Sequence, residues 1–254
     1  MEPILKAENL TKVFSRSGRP DVTAVDHVSF AMEPGECLGI IGESGSGKST
    51  LVSLITRLQD PTEGNIVLEG KEITHLRGKE LRNMYGKMQM VFQTPAESFD
   101  PRRTLGDGIG ESLRNLGMGR QEVRKEVFRL LELCGLAKEF ADRYPHEVSG
   151  GQCHRAAIAR ALAVKPELLI CDEATSALDV TIQKEIIDLL TALRNQSEQR
   201  LSILFISHDI ALVQQFCDRV LVMYRGRIVE EGIPDEVIRN PRDAYTKRLI
   251  DSVL

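Results

Sequence analysis

Nine consecutive residues constrain this chain more than any others: Gly42-Glu43-Ser44-Gly45-Ser46-Gly47-Lys48-Ser49-Thr50. They match G-x-x-x-x-G-K-[ST]. They follow the apolar run Cys37–Ile41, and Leu51, Leu54 and Ile55 continue at helical spacing beyond Lys48. Strand, glycine-rich loop, helix is the context this pattern requires. Gly42, Gly45 and Gly47 let successive N–H groups curl around phosphate oxygens, and the helix N-terminus adds positive potential. Lys48 is placed to reach the β- and γ-phosphates and the Ser49 hydroxyl to ligate Mg2+, with Ser46 and Thr50 completing the cradle.

The rest of the chain alternates in texture as an α/β protein should. Leu5–Phe14 and Thr23–Met32 read as strands joined by a loop, Arg16–Asp21. Asn65–Leu68, Met88–Phe92, Leu168–Cys171, Leu201–Ile206 and Arg219–Tyr224 read as further strands, and Thr181–Arg194 as a helix. Between residues 95 and 165 helical periodicity dominates, as in Val123–Leu133, where Val127, Leu130 and Leu131 share a face. The pattern predicts a mainly parallel core sheet with an antiparallel β subdomain and an inserted helical subdomain. We expect one domain over residues 1–254: core and β subdomain at 1–94 and 166–232, the helical insertion at 95–165, and a tail at 233–254.

Two more stretches carry chemistry. Leu168–Cys171 ends in Asp172-Glu173, which puts two carboxylates at the C-terminal edge of a strand, where open α/β sheets bind ligands. Asp172 is the candidate Mg2+ ligand and Glu173 the candidate general base for an attacking water. Ser149-Gly150-Gly151-Gln152 reads as a capping box opening a helix through Leu162, and a glycine-rich helix N-terminus is also an anion site. Two phosphate-binding helix ends in one chain suggest two surfaces gripping one nucleotide.

Together these motifs resemble the nucleotide-binding subunit of an ABC transporter. Gly42–Thr50 is similar to the family's Walker A, Leu168–Asp172 to Walker B, and Ser149–Gln152 to the signature L-S-G-G-Q, with Val148 in place of leucine. Gln93 stands where the Q-loop glutamine falls. Ser176-Ala177-Leu178-Asp179 resembles the D-loop, His208 the switch histidine, and Phe14 the aromatic that stacks on adenine. The resemblance covers roughly residues 4–232. It implies ATP and Mg2+ as ligands and a head-to-tail pair of subunits. In that pair Ser149, Gly150, Gly151 and Gln152 face the ATP held by the partner. Gln93 approaches Mg2+ and the water, His208 contacts the γ-phosphate, and Asp179 communicates across the pair.

A finer resemblance is to the peptide/nickel importer group. Phe92-Gln93-Thr94-Pro95, Ser98-Phe99-Asp100-Pro101-Arg102 and the tail Pro241-Arg242-Asp243-Ala244-Tyr245-Thr246 carry it. The group often reads F-Q-D-P, S-L-N-P-R and P-x-H-P-Y-T in these places, so the tail here lacks the His-Pro pair. The resemblance implies a second ATPase subunit (a paralogue or another copy), two transmembrane permeases, an extracytoplasmic substrate-binding protein and a place on the cytoplasmic face of the membrane. The permease groove is expected near Gln93–Arg103. An exporter subunit and a non-transport ABC ATPase stay open as alternatives.

Composition narrows the partners. With 33 basic and 37 acidic side chains in 254 residues, the net charge of −4 argues against a strongly basic nucleic-acid footprint and leaves only a local patch open. No apolar run approaches the ~18–20 residues of a membrane span, and no basic-then-apolar leader opens the sequence. Cys37, Cys134, Cys153, Cys171 and Cys217 are odd in number and scattered, as buried thiols rather than a disulfide framework. His27, His75, His146 and His154 show no metal-ligand pairing and read as surface or cap residues.

Overall fold

The computed structural model describes residues 2–16, 18–173, 179–196 and 201–252. Its centre is a six-stranded sheet in which alternate residues of every strand face opposite hydrophobic layers. The strands are β3 (Cys37–Ile41), β6 (Met88–Val91), β7 (Leu168–Asp172), β8 (Ser202–Ile206), β9 (Arg219–Tyr224) and β10 (Arg227–Gly232). Their order is β10-β9-β3-β8-β7-β6, parallel from β9 to β6, with β10 antiparallel at the edge. The central strands β3 and β8 are buried along their whole length, as parallel strands covered on both faces must be.

One face packs on α1 (Lys48–Ile55) and on a four-stranded antiparallel sheet. That sheet holds β1 (Leu5–Arg16), β2 (Arg19–Met32), β4 (Glu63–Leu68) and β5 (Lys71–Glu72), in the order β2-β1-β4-β5. Leu38 and Ile40 of β3 point into this layer, beside Leu51, Leu54 and Ile55 of α1. The opposite layer takes Cys37 and Ile41 of β3 together with α3 (Leu105–Asn115), α4 (Arg120–Leu133) and α5 (Gly150–Leu162). It also takes α6 (Val180–Gln196), α7 (Ile210–Phe216), α8 (Pro234–Arg239) and α9 (Ala244–Asp251). The short α2 (Gly78–Tyr85) precedes β6. No described helix is long and apolar enough to cross a membrane.

The expected loop Arg16–Asp21 is mostly strand. Arg16 pairs with Arg19, so β1 and β2 close as a tight hairpin beside Gly18, whose φ of +73° suits glycine. Ladder hydrogen bonds override the polar composition there. Elsewhere the expected strands and helices shift by a few residues at their ends. All five cysteines are buried free thiols.

Candidate functional site

The loop Gly42–Gly47 leaves β3 and enters α1 through backbone that only glycine adopts comfortably. Gly47 caps α1 with φ +107°, and a Cβ there would lie 2.4 Å from the Ala24 carbonyl. The hairpin strand β2 thus packs directly on the loop. Gly226 N–H donates to the Ser46 carbonyl at 2.8 Å, which fixes the loop from the β9–β10 turn. Lys48 is 5% exposed, and its ammonium donates to the carbonyls of Gly42 at 2.6 Å and Glu43 at 3.0 Å. Burial pulls its pKa below the ordinary lysine value, and the charges of Glu173 and Asp172 oppose that shift. Ser49 is exposed at the start of α1 and Thr50 half-buried.

Asp172 and Glu173 stand at the C-terminal end of β7, within electrostatic reach of Lys48. Burial, and then the Glu173 charge, raises the Asp172 pKa to about 6 against the pull of Lys48. Glu173 has a φ of +46°, left-handed backbone that costs a non-glycine residue ~1 kcal/mol or more. Its N–H is held by the Ile206 carbonyl at 3.0 Å. Gln93, just past β6, donates from Nε2 to Glu173 Oε2 at 2.9 Å. The fold thereby brings together residues 80 apart in sequence.

Two buried oxygens at this edge, Ser46 Oγ and Asp172 Oδ1, have no hydrogen-bond partner among the described residues. A buried carboxylate left this way is costly unless a cation or donor reaches it. Hard divalent cations take carboxylate and hydroxyl oxygens. The donor set beside the phosphate loop therefore fits Mg2+.

His208 is exposed in the bend after β8, followed by Asp209, which caps α7. Asp179 is exposed before α6 and accepts the Ile182 N–H at 3.0 Å. Ser176, Ala177 and Leu178 lie outside the described residues. Phe14 is half-buried on β1, with the Lys12 ammonium 5.3 Å from its ring centre. Among the described residues no hydrogen bond or ring contact joins Phe14 to the phosphate loop.

Ser149 and Gln152 form the expected capping box. The Gln152 N–H donates to Ser149 Oγ at 3.3 Å, and the Ser149 N–H donates to Gln152 Oε1 at 2.9 Å. Gly150 is exposed, whereas Gly151 is buried against Ile182 of α6. No hydrogen bond among the described residues connects this helix end to residues 42–50 of the same chain. His154, two residues on, corrects the surface reading. It is 2% exposed, and burial lowers its pKa to about 4. One face of α5 between Cys153 and Ala157 is core, and His154 lies on it.

Sequence reasoning missed two features. A cleft of about 440 Å3 opens beside β6, lined by Leu58, Met90, Phe92, Glu111, Ser112 and Arg160 among others. Leu58 and Phe92 are 60% and 39% exposed there, a pairing of distant residues that no local pattern reveals. The second is a contact from the tail to the phosphate loop, through Tyr245. Its only signal was the tail's own resemblance.

Residues 25–176 match the family model for the ABC transporter. The chain belongs to the ABC transporter family. It is 46% identical over 256 residues to the probable peptide ABC transporter ATP-binding protein y4tS of Sinorhizobium fredii, covering 98% of this chain and 72% of that protein. It is 47% identical over 232 residues to the oligopeptide transport ATP-binding protein OppF of Escherichia coli, covering 91% and 69%. Its fold is similar to the ATP-binding cassette MJ0796 in a dimeric post-hydrolysis state with ADP and Pi. That match has a TM-score of 0.82 at 32% identity, over 91% of this chain and 98% of that one. The chain is accordingly an ATP-binding, ATP-hydrolysing cassette of the P-loop NTPase fold.

Proposed function

We propose that this cassette energises the import of peptides through partner permeases at the cytoplasmic face of a membrane. The observation that carries the reading is the likeness to y4tS and OppF, two proteins named for peptide transport, across 91–98% of the chain. The 95–165 segment acts in this reading as a helical subdomain on a single nucleotide-binding domain. The cleft beside Phe92 and Leu58 offers apolar side chains to a permease segment, with Glu111 and Arg160 at its walls.

The residues divide the work by position. Gly42, Gly45 and Gly47 shape the N–H cradle for the phosphates, with Ser46, Ser49 and Thr50 at its hydroxyl side. Lys48 turns its ammonium to the β- and γ-phosphates. Asp172, Ser49 and Gln93 would hold Mg2+. When bound, the ion neutralises charge on the phosphate oxygens. Glu173 accepts a proton from the water that attacks the γ-phosphate, while Gln93 and His208 orient that water. Phe14 stacks on the adenine.

Ser149, Gly150, Gly151 and Gln152 serve the nucleotide of a second cassette, paralogous or identical, with Asp179 at the shared face. The physical support is that the capping box opens a helix with no hydrogen bond, among the described residues, to the chain's own phosphate loop. A glycine-rich helix N-terminus of this kind suits an anion.

The test is Glu173→Gln in the membrane-assembled complex. We expect ATP to bind and hydrolysis to fall at least ~100-fold, the size of a general-base contribution. Hydrolysis at the parent rate removes Glu173 from its role. Tagging the chain in its host and purifying from detergent-solubilised membranes tests the import reading. Two multi-span permeases and a second ATPase support it, and recovery without any membrane protein overturns it.

A further inference from the structure

Helix α9 takes no part in the roles above, yet it reaches the phosphate loop. Its Tyr245 is 3% exposed and stacks on Tyr224 at the end of β9, with centroids 4.0 Å apart and planes 21° apart. The Tyr245 hydroxyl oxygen accepts the N–H of Glu43 at 2.9 Å. Burial pushes the phenol above its ordinary pKa, so it stays neutral and accepts through a lone pair.

The Glu43 N–H and the Gly42 carbonyl belong to one planar peptide unit. The carbonyl side of that unit accepts from Lys48 at 2.6 Å, and the N–H side donates to Tyr245. Gly42 has a φ of +151°, and a Cβ there would lie 2.3 Å from the Met223 carbonyl. The peptide therefore sits tight against β9 and is braced from both sides.

The two braces differ in what happens when phosphate arrives. The Lys48 ammonium has three donors, and a phosphate oxygen draws on the same group that holds the Gly42 carbonyl. Tyr245 holds its bond through an acceptor oxygen, which a phosphate does not draw on. It is the brace that stays.

The tail is moored for this task. Glu230 of β10 accepts the N–H groups of Arg242 at 2.9 Å and Asp243 at 3.0 Å. Asp243, at the place of the missing His-Pro pair, caps α9 by accepting the Tyr245 N–H at 2.7 Å. Leu249 and Ile250 bury the helix's inner face.

We propose that Tyr245 is a positioning residue for ATP binding: its hydroxyl holds the 42–43 peptide in place while the phosphates draw on Lys48. The proposal rests on reading residues 42–50 as the phosphate cradle.

The test titrates MgATP into the full chain as parent, Tyr245→Phe, Leu249→Ala and Lys48→Ala, and melts each protein without nucleotide. Removing one neutral hydrogen bond should weaken MgATP binding about 3- to 10-fold in Tyr245→Phe. Its nucleotide-free melting temperature should fall by no more than about 1–6 °C, the cost of the same single bond. In the assembled complex, KM for ATP should rise by the same factor with kcat unchanged. Leu249→Ala loosens the helix without touching the hydroxyl, so it should melt earlier and bind within two-fold of the parent. Parent-like affinity in Tyr245→Phe, or an equal loss in Leu249→Ala, overturns the proposal. Parent-like affinity in Lys48→Ala overturns the cradle reading beneath it instead.

Discussion

Gly151 has two candidate reasons to be glycine, and one set of variants separates them. A Cβ at this position would lie 2.7 Å from Ile182 Cγ2 and 3.3 Å from Ile182 Cδ1. Carbon atoms in contact prefer ~3.5–4.0 Å, so Ile182 must leave its rotamer or α6 must retreat by about an ångström. Overpacking of this kind costs about 1–3 kcal/mol. At about 2–4 °C per kcal/mol for a chain this size, Gly151→Ala should melt roughly 2–12 °C earlier. Ile182→Ala should cost about 1–2 kcal/mol, because the side chain is only partly buried. In the double variant the added methyl fills space that the isoleucine vacated. Its loss should fall short of the sum of the two by about 1 kcal/mol or more. Urea denaturation of the four proteins measures this. Additivity within about 0.5 kcal/mol refutes the steric argument. Hydrolysis in the assembled complex supplies the second reading. If Gly151 must also let the backbone approach the partner's nucleotide, the double variant regains stability but not activity. Parent-like hydrolysis there reassigns Gly151 to packing alone.

Two further outcomes follow from the same geometry. His154 has its folded pKa lowered from 6.5 to about 4, so its contribution to stability is present above pH 6.5 and lost as pH falls through 4. By pH 4.5 that loss is about 2–3 kcal/mol, and His154→Gln should flatten the melting temperature between pH 7.5 and 4.5 by that share. An unchanged pH slope would show that the imidazole titrates alike folded and unfolded. Gly47→Ala places a methyl 2.4 Å from the Ala24 carbonyl at a φ of +107°, so the loop must move. MgATP titration should then show at least a ~10-fold loss, and parent-like affinity would mean the loop's observed path is not the binding path.

What was legible in the sequence was contiguous or periodic. Gly42–Thr50 carries its own strand, loop and helix, because the turn chemistry and the phosphate chemistry are the same glycines. Ser149 and Gln152 are three apart and satisfy each other's backbone, so the capping box was readable without tertiary information. β10 was not read, since its half-buried residues give no clean alternation and it exists by pairing with β9 through the Arg225–Gly226 turn. His154 read as a surface or cap histidine because it has no metal-ligand pairing in the sequence. Its burial is decided by how α5 rotates against the core. Tyr245 is 202 residues from Glu43, and a bond from a side chain to a backbone N–H leaves no trace in either residue's type. The Gln93–Glu173 bond was approached only through resemblance, for the same reason.

The short segment from Gln93 to Phe99 joins parts of the site that the sequence keeps apart. At one end Gln93 donates to Glu173 at 2.9 Å. At the other, Arg160 of α5 donates from Nη2 to Ser98 Oγ at 2.8 Å, and its guanidinium lies 4.5 Å over the Phe99 ring. Arg160 sits three turns along the helix that begins with Ser149–Gln152. At 1.5 Å per residue a helix of this length moves as a rod of about 20 Å. A displacement of its N-terminus therefore reaches Ser98 and Phe99 as a rigid-body shift. The Gln93–Glu173 bond is a hydrogen bond to a charged group, worth about 1.5–3 kcal/mol, which is less than the ~5–15 kcal/mol that holds a whole fold. Phe92 lines the adjoining cleft, so a segment seated there would press on the residue next to Gln93. Glu173, the helix that begins with Ser149–Gln152 and the cleft beside β6 thus bear on one stretch of seven residues.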